Sequence, residues 1–303
     1  MYKKFFGLRE NPFNITPDPR YLFVTQHTEE ALSYLTYGVR KRRGFVLLTG
    51  EVGTGKTTLL NKVIQWLDRE GHRTAFIFNP RVTEQQFFDL MMADFGISCD
   101  TQSKSQILLA LNQWLLEAYR AGETAVLIVD EAQDLSPSVL EEIRLLTNLE
   151  TRSDKLLQII LSGQPELGMK LKQPELRQLL QRITLRAKTY PLTEAETAGY
   201  INSRLRVAGS GGQEIFDAGA VGAVYRYSQG IPRVVNVICE HALLSAFTRQ
   251  VKPVTEEIVR AVSEEFDLAP ASFGAESPKT SERQTLEESG SWVALMDRMR
   301  HSP

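Results

Sequence analysis

Residues 50 to 58 read GEVGTGKTT and fit the spacing Gly-x-x-x-x-Gly-Lys-Thr from Gly50 to Thr57. The chemistry of that pattern is phosphate binding. Gly50, Gly53 and Gly55 let the chain bend, so that the amides along Glu51, Val52 and Thr54 can turn toward phosphate oxygens. A helix beginning near Lys56 adds the positive end of its dipole. Lys56 is spaced to reach the β and γ phosphates of ATP, Thr57 offers a hydroxyl to Mg2+, and Thr58 can donate to the α phosphate.

The second group is AVLIVDEAQDL, residues 125 to 135, where an apolar run ends on two adjacent carboxylates. Asp130 is suited to holding Mg2+, and Glu131 to orienting and deprotonating an attacking water. A protein that only senses nucleotide does not need a carboxylate beside the metal-binding aspartate. The pair therefore predicts hydrolysis of ATP.

These groups must be delivered by strands. Continuous apolar runs predict strands over 44 to 50, 73 to 80, 124 to 132, 156 to 164 and 182 to 192, buried on both faces as in a parallel sheet. Helical periods fall between them, near 56 to 70, 84 to 95, 104 to 121 and 138 to 151. The alternation predicts an α/β fold, a parallel sheet flanked by helices, with ligands at the carboxyl ends of the strands. The strand at 73 to 80 lies between the two motifs in the chain, which predicts that the strands ending at Gly50 and Asp130 are not sheet neighbours. After Pro191 only helical periods follow, near 193 to 208, 216 to 229, 231 to 250 and 255 to 266, as expected of a small all-helical domain. Gly230 reads as a helix cap and Pro232 as a first-turn residue.

Composition sets the limits. The 303 residues carry 42% hydrophobic side chains and a formal charge of −2, so one large domain and a smaller one can be buried, and no global field draws the molecule to nucleic acid or anionic lipid. Cys99 and Cys239 have unrelated surroundings, which suits a reducing cytosol and offers neither a disulfide framework nor a zinc site. The first residues lack the apolar core of a secretory signal, and no run is long and apolar enough to span a bilayer. A cytoplasmic protein, meeting membranes through a partner, is the expectation.

From residue 268 to 290 the composition shifts to Pro, Ser, Glu, Gly and Thr, which predicts a flexible linker. In residues 291 to 303, Trp292, Leu295, Met296 and Met299 share one helical face. Burying four such side chains yields roughly 6 to 12 kcal/mol, against about 1.5 kcal/mol for each of about ten ordered residues. The segment should not stay folded alone. It reads either as a tail helix docked on its own domain or as a hook for another protein.

With these motifs in place, the chain resembles the AAA+ ATPases, and within them the general secretion pathway protein A group, over residues 1 to 266. The resemblance is carried by NPFNITPDPRYLF, GEVGTGKTTLL, VDEAQDL, LSGQPEL, LLQRITLRAKTYPLTEAET and GIPRVVN. It implies a P-loop NTPase domain over 44 to 191 and a helical lid over 192 to 267. It also implies that residues 1 to 43 pack beside the nucleotide site, with Phe13, Ile15 and Tyr21 as walls for the adenine. LSGQPEL looks like the region that senses the γ phosphate, with Ser162 and Gln164 as candidates. Arg182 looks like an arginine finger given to a neighbouring subunit, with Arg177 as the alternative, and Arg233 looks like a sensor carried on the lid. Longer members continue into a membrane span and a periplasmic peptidoglycan-binding domain, which leads to the expectation that this chain lacks both.

Three functions share this site. One is a homo-oligomeric ATPase, a ring or partial ring, that assists an envelope export system and grips one of its components through the tail. A second is a DNA-associated regulator, for which Arg40 to Arg43 and the cluster Arg177, Arg182, Arg186 and Lys188 supply positive charge. The third is a scaffold in which nucleotide binding matters and turnover does not.

Overall fold

The computed structural model describes residues 1–78, 81–98 and 103–270. Five strands, β1 (Phe45–Thr49), β2 (Arg73–Ile77), β3 (Ala125–Val129), β4 (Leu157–Gly163) and β5 (Ile183–Lys188), form one sheet in the order β2-β3-β4-β1-β5. Every pairing is parallel. The two motif strands are not neighbours, as expected: β4 lies between them, and the 73 to 80 strand lies at the edge. Leu161 of β4 pairs with Leu47 on one side and Val129 on the other, so the ends of β1, β4 and β3 line up at one rim of the sheet.

Twelve helices are described: α1 (Tyr2–Phe6), α2 (Gln26–Arg40), α3 (Lys56–Arg69), α4 (Glu84–Asp94), α5 (Lys104–Arg120), α6 (Pro137–Leu146), α7 (Pro165–Lys170), α8 (Arg177–Arg182), α9 (Glu194–Val207), α10 (Ala218–Ser228), α11 (Pro232–Thr248) and α12 (Glu256–Glu265). Successive strand residues face opposite sides, and each side has its own core. Leu47, Leu127, Val129, Ile159 and Leu161 pack with α4, α5 and α6, whereas Val46, Leu48, Val126, Ile128 and Ile160 pack with α2 and α3.

A third core joins α9 to α12 with the start of the chain, because Tyr2, Phe6, Leu8 and Phe13 are buried among Ile201, Leu205, Val235 and Leu243. The chain thus begins on the helical domain, crosses to the sheet as α2, and returns after β5. The return is braced by a capping box on α9, in which Thr193 and Glu196 satisfy each other's backbone N–H groups. It is braced also by the bond from Leu192 N to Gly230 O at 2.8 Å. Pro232 is in the first turn of α11 as its chemistry predicts, while the left-handed cap of α10 is Gln229, one residue before Gly230. Leu268 still packs on the helical core. Cys99, most of the expected linker and the tail with Trp292, Leu295, Met296 and Met299 lie outside the described residues.

Candidate functional site

The rim where β1, β3 and β4 end opens into a cavity of about 340 Å3, within the size range of small-molecule sites. Its floor is the loop from Val52 into α3, one wall is the stretch Asn14 to Thr28, a second is the connection Thr189 to Leu192, and its roof is the start of α11.

The phosphate loop is held from three sides. Gly50 N donates to Gly163 O at 3.2 Å, Thr54 Oγ1 donates to Glu51 O at 2.8 Å, and Thr54 and Thr189 share a hydroxyl hydrogen bond at 2.7 Å. Gly53, with φ at +82°, adopts a backbone that side-chain-bearing residues avoid, and a Cβ there would sit 2.9 Å from Arg233 Cβ. Arg233 N donates to Gly53 O at 3.2 Å, so the start of α11 touches the loop through main chain as well as side chain.

Lys56 is 5% exposed and its Nζ donates to Gly50 O at 2.8 Å and Glu51 O at 3.0 Å. Burial pulls its pKa below the usual ammonium range, while the nearby carboxylates of Glu131 and Asp130 oppose that shift. Thr57 Oγ1 donates to Asp130 Oδ2 at 2.8 Å, and Asp130 Oδ1 accepts from Ser162 Oγ at 2.8 Å and from Glu131 N at 3.0 Å. Asp130 is thus buried and fixed at both oxygens. Glu131 Oε2 accepts from Gln133 Nε2 at 2.7 Å and Gln164 Nε2 at 3.2 Å. Val52, Gly55 and Thr58 line the cavity, and Glu51 precedes them in the loop.

The two sensor candidates therefore occupy different places. Ser162 is fully buried against Asp130, whereas Gln164 is half-buried beside Glu131. Arg182 stands apart, half-buried and bound within its own chain: its Nη1 donates to Arg144 O at 3.3 Å, to Asn148 Oδ1 at 2.9 Å and to Thr147 Oγ1. Arg177 is exposed at the other end of α8.

Of the three expected adenine walls, Ile15 and Tyr21 line the cavity. Phe13 does not. It is 1% exposed and packs edge-on to Phe216 in the helical core, with ring centroids 6.0 Å apart. Tyr190, His27 and Phe23 line the cavity without having been expected there. The first two form a ring pair 4.8 Å between centroids.

In the basic run at 40 to 43, Arg40 and Arg42 are half-buried, whereas Lys41 and Arg43 are exposed. Arg40 pairs with Glu70 at 3.6 Å, Arg42 Nη2 donates to Glu123 O at 3.2 Å, and Arg43 donates to Tyr37 Oη at 3.3 Å. Among the described residues, no helix is long and apolar enough to cross a membrane.

Residues 39–171 match the family model described as the AAA domain. The chain is 48% identical over 250 residues to general secretion pathway protein A of Aeromonas hydrophila, covering 82% of this chain and 45% of that relative, so it spans less than half of the relative's length. Among solved structures, the ORC2 protein of Aeropyrum pernix, in ADPNP and ADP complexes, aligns with a TM-score of 0.63 at 18% identity over 84% of this chain and 71% of that one. Cdc6p of Pyrobaculum aerophilum aligns with a TM-score of 0.66 at 17% identity over 84% and 70%. At these identities the solved structures speak to the fold, and the closer relative to the lineage. Loop, carboxylates, sheet order and sequence agree: the chain is an AAA+ P-loop protein related to general secretion pathway protein A.

Proposed function

We propose that the protein binds and hydrolyses ATP, and that it does so as a homo-oligomer assisting assembly or regulation of an envelope export system. The observation that carries the hydrolytic part is the contact of Thr57 Oγ1 with Asp130 Oδ2 at 2.8 Å, with Glu131 next in the chain. A hydroxyl and a carboxylate oxygen, side by side at the end of a phosphate loop, suit a small, hard, oxygen-seeking cation that takes its other ligands from phosphate and water. Thr57 and Asp130 would hold Mg2+, which draws charge from the phosphate oxygens when bound. Lys56, now bonded to Gly50 O and Glu51 O, would exchange those carbonyls for phosphate oxygens. Glu131 would take the proton of the attacking water, steadied by Gln133 and Gln164. Arg233 on the lid would meet the phosphates, and Arg182 would supply charge to a neighbouring subunit.

The export context rests on the likeness to general secretion pathway protein A. DNA binding is the weaker reading, since Arg40 and Arg42 are half-buried and bonded within the chain. The test is turnover: wild-type protein with Mg2+ should release phosphate from ATP, and Glu131→Gln should bind ATP as tightly while losing about 10²-fold or more in rate. Equal turnover by the two proteins would remove Glu131 as base. Binding without turnover by wild type in its assembled state would favour the scaffold.

A further inference from the structure

The wall from Asn14 to Thr28 is tied to the helical domain by Phe13 just before it, by Phe23 against Tyr200, and by one buried cation. Arg204, on α9, is 6% exposed. Its Nε donates to Pro12 O at 2.5 Å, its Nη2 to Asn14 O at 3.1 Å and its Nη1 to Tyr200 Oη at 2.8 Å. Its guanidinium lies 4.5 Å from the centroid of the Tyr21 ring and 5.3 Å from that of Tyr200. All these partners are neutral. A buried cation with no carboxylate bonded to it is costly unless its donors are filled and its faces covered, and here main-chain carbonyls and aromatic faces do both.

The fastening continues into the roof. Tyr200 Oη donates to Asn236 Oδ1 at 2.9 Å, one turn after Arg233 on α11, and Phe23 packs edge-on against Tyr200. The phosphate end of the site is held quite differently. Its loop is anchored to the sheet and to Thr189, and Lys56 and Thr57 are oriented by Gly50, Glu51 and Asp130, none of which touches Arg204.

We propose that Arg204 is a positioning residue for recognition of the nucleoside part of the ligand: it orders the wall carrying Ile15 and Tyr21, and the phosphate loop works without it. This rests on the nucleotide reading above. A wall that must be ordered at the moment of binding subtracts that cost from affinity, and the cost falls only on ligands that use the wall.

The experiment is calorimetric binding of MgATP and of magnesium tripolyphosphate, the same phosphate chain without nucleoside, to the full chain and to Arg204→Lys and Arg204→Gln. The expected result is a loss of at least about tenfold for MgATP with tripolyphosphate unchanged within about twofold. Equal losses for both ligands, or no loss for either, would overturn the proposal, as would wild type that fails to hold tripolyphosphate. Failure of wild type to bind MgATP would bring down the nucleotide reading itself. If the arginine variants do not fold, Tyr200→Phe removes the hydroxyl that accepts from Arg204 Nη1 and leaves Ile15, Tyr21 and the carbonyl bonds in place. The same selective loss, smaller in size, is then expected, and a loss shared by both ligands would overturn the idea.

Discussion

Gln133 donates through Nε2 to Glu131 Oε2 at 2.7 Å while its Oε1 accepts from Gln164 N at 3.1 Å. A main-chain N–H can only donate, so the amide oxygen must face Gln164 and the nitrogen must face Glu131. Gln164 Nε2 reaches the same carboxylate oxygen at 3.2 Å, and Lys170 Nζ fixes the loop by donating to Gln133 O at 2.8 Å. Two donors therefore engage Oε2, and Oε1 is the oxygen available to a water. The arrangement holds Glu131 in a left-handed backbone, φ 53° and ψ 38°, which a residue with a side chain adopts only when its surroundings impose it.

Removing this brace should cost rate and spare binding. Gln133→Leu is expected to lower kcat by about tenfold to a hundredfold, the penalty of a misplaced reacting group, with MgATP affinity unchanged. Gly163→Ala should act in the same direction, because its Cβ would lie 2.6 Å from Gln133 Oε1. Steady-state kinetics with direct binding checks this. A parallel fall in affinity and kcat would mean that Gln133 merely keeps the loop folded.

Two glycines in helices should respond to alanine with opposite signs. A Cβ on Gly38 of α2 would fall 2.3 Å from Val46 Cγ2 and 3.1 Å from Leu185 Cδ1, whereas one on Gly168 of α7 meets nothing within 4 Å. Gly38→Ala should destabilise by about 1 to 3 kcal/mol through overpacking of the helix against β1. Gly168→Ala should stabilise by up to about 1 kcal/mol through helix propensity alone. Denaturant unfolding measures both, and equal shifts would contradict the close seating of α2.

What could be read from the chain beforehand follows how local each feature is. The strands were legible because β1, β3 and β4 are buried on both faces and read as unbroken apolar runs. The phosphate loop and the Asp130–Glu131 pair were legible because each is contiguous. The apolar period does not mark helix α2, although Leu32, Leu35 and Val39 share its buried face, since Thr36 and Gly38 interrupt the apolar stripe. Both serve packing: Thr36 Oγ1 returns its hydrogen bond to Leu32 O, and Gly38 admits Val46. Phe13 and Tyr21 looked equivalent in sequence, and only the third core shows why one is structural and the other faces the cavity. Arg204 gave no local signal, because its acceptors Pro12 and Asn14 lie about 190 positions away.

The lowered pKa of Lys56 makes a pH prediction with a definite sign. Burial, the dominant cause, pulls it below the ordinary 10.5 of a lysine. Between the folded and unfolded values the unfolded chain binds more protons, so stability of the ligand-free protein rises with pH through that window. Phosphate oxygens favour the ammonium form, so MgATP binding in the same window takes up a proton and weakens as pH rises. Calorimetry in buffers of different ionisation enthalpy should detect that uptake on the alkaline side, and the binding kept by Lys56→Arg, whose guanidinium stays charged, should carry none. Uptake that persists in Lys56→Arg would assign the titration elsewhere.

Arg182 is the group whose proposed role depends on a second subunit. Within one chain it is tied to the turn after α6 through Arg144 O and Asn148 Oδ1, and reaching a neighbour's phosphates means exchanging those neutral acceptors for charged ones. Charge-assisted bonds are the stronger kind, so the exchange is favourable if a phosphate comes within reach. A finger of this type is worth about 10³ to 10⁵ in rate. Lys56→Ala should abolish a subunit's own site but keep its arginine, and Arg182→Ala should do the reverse. Each protein should be inactive alone, and the two together should recover part of the activity, because intact sites then meet intact fingers. Recovery with Arg177→Ala in place of Arg182→Ala would move the role to Arg177. If neither mixture recovers activity while sedimentation shows that the subunits co-assemble, no arginine is being supplied in trans.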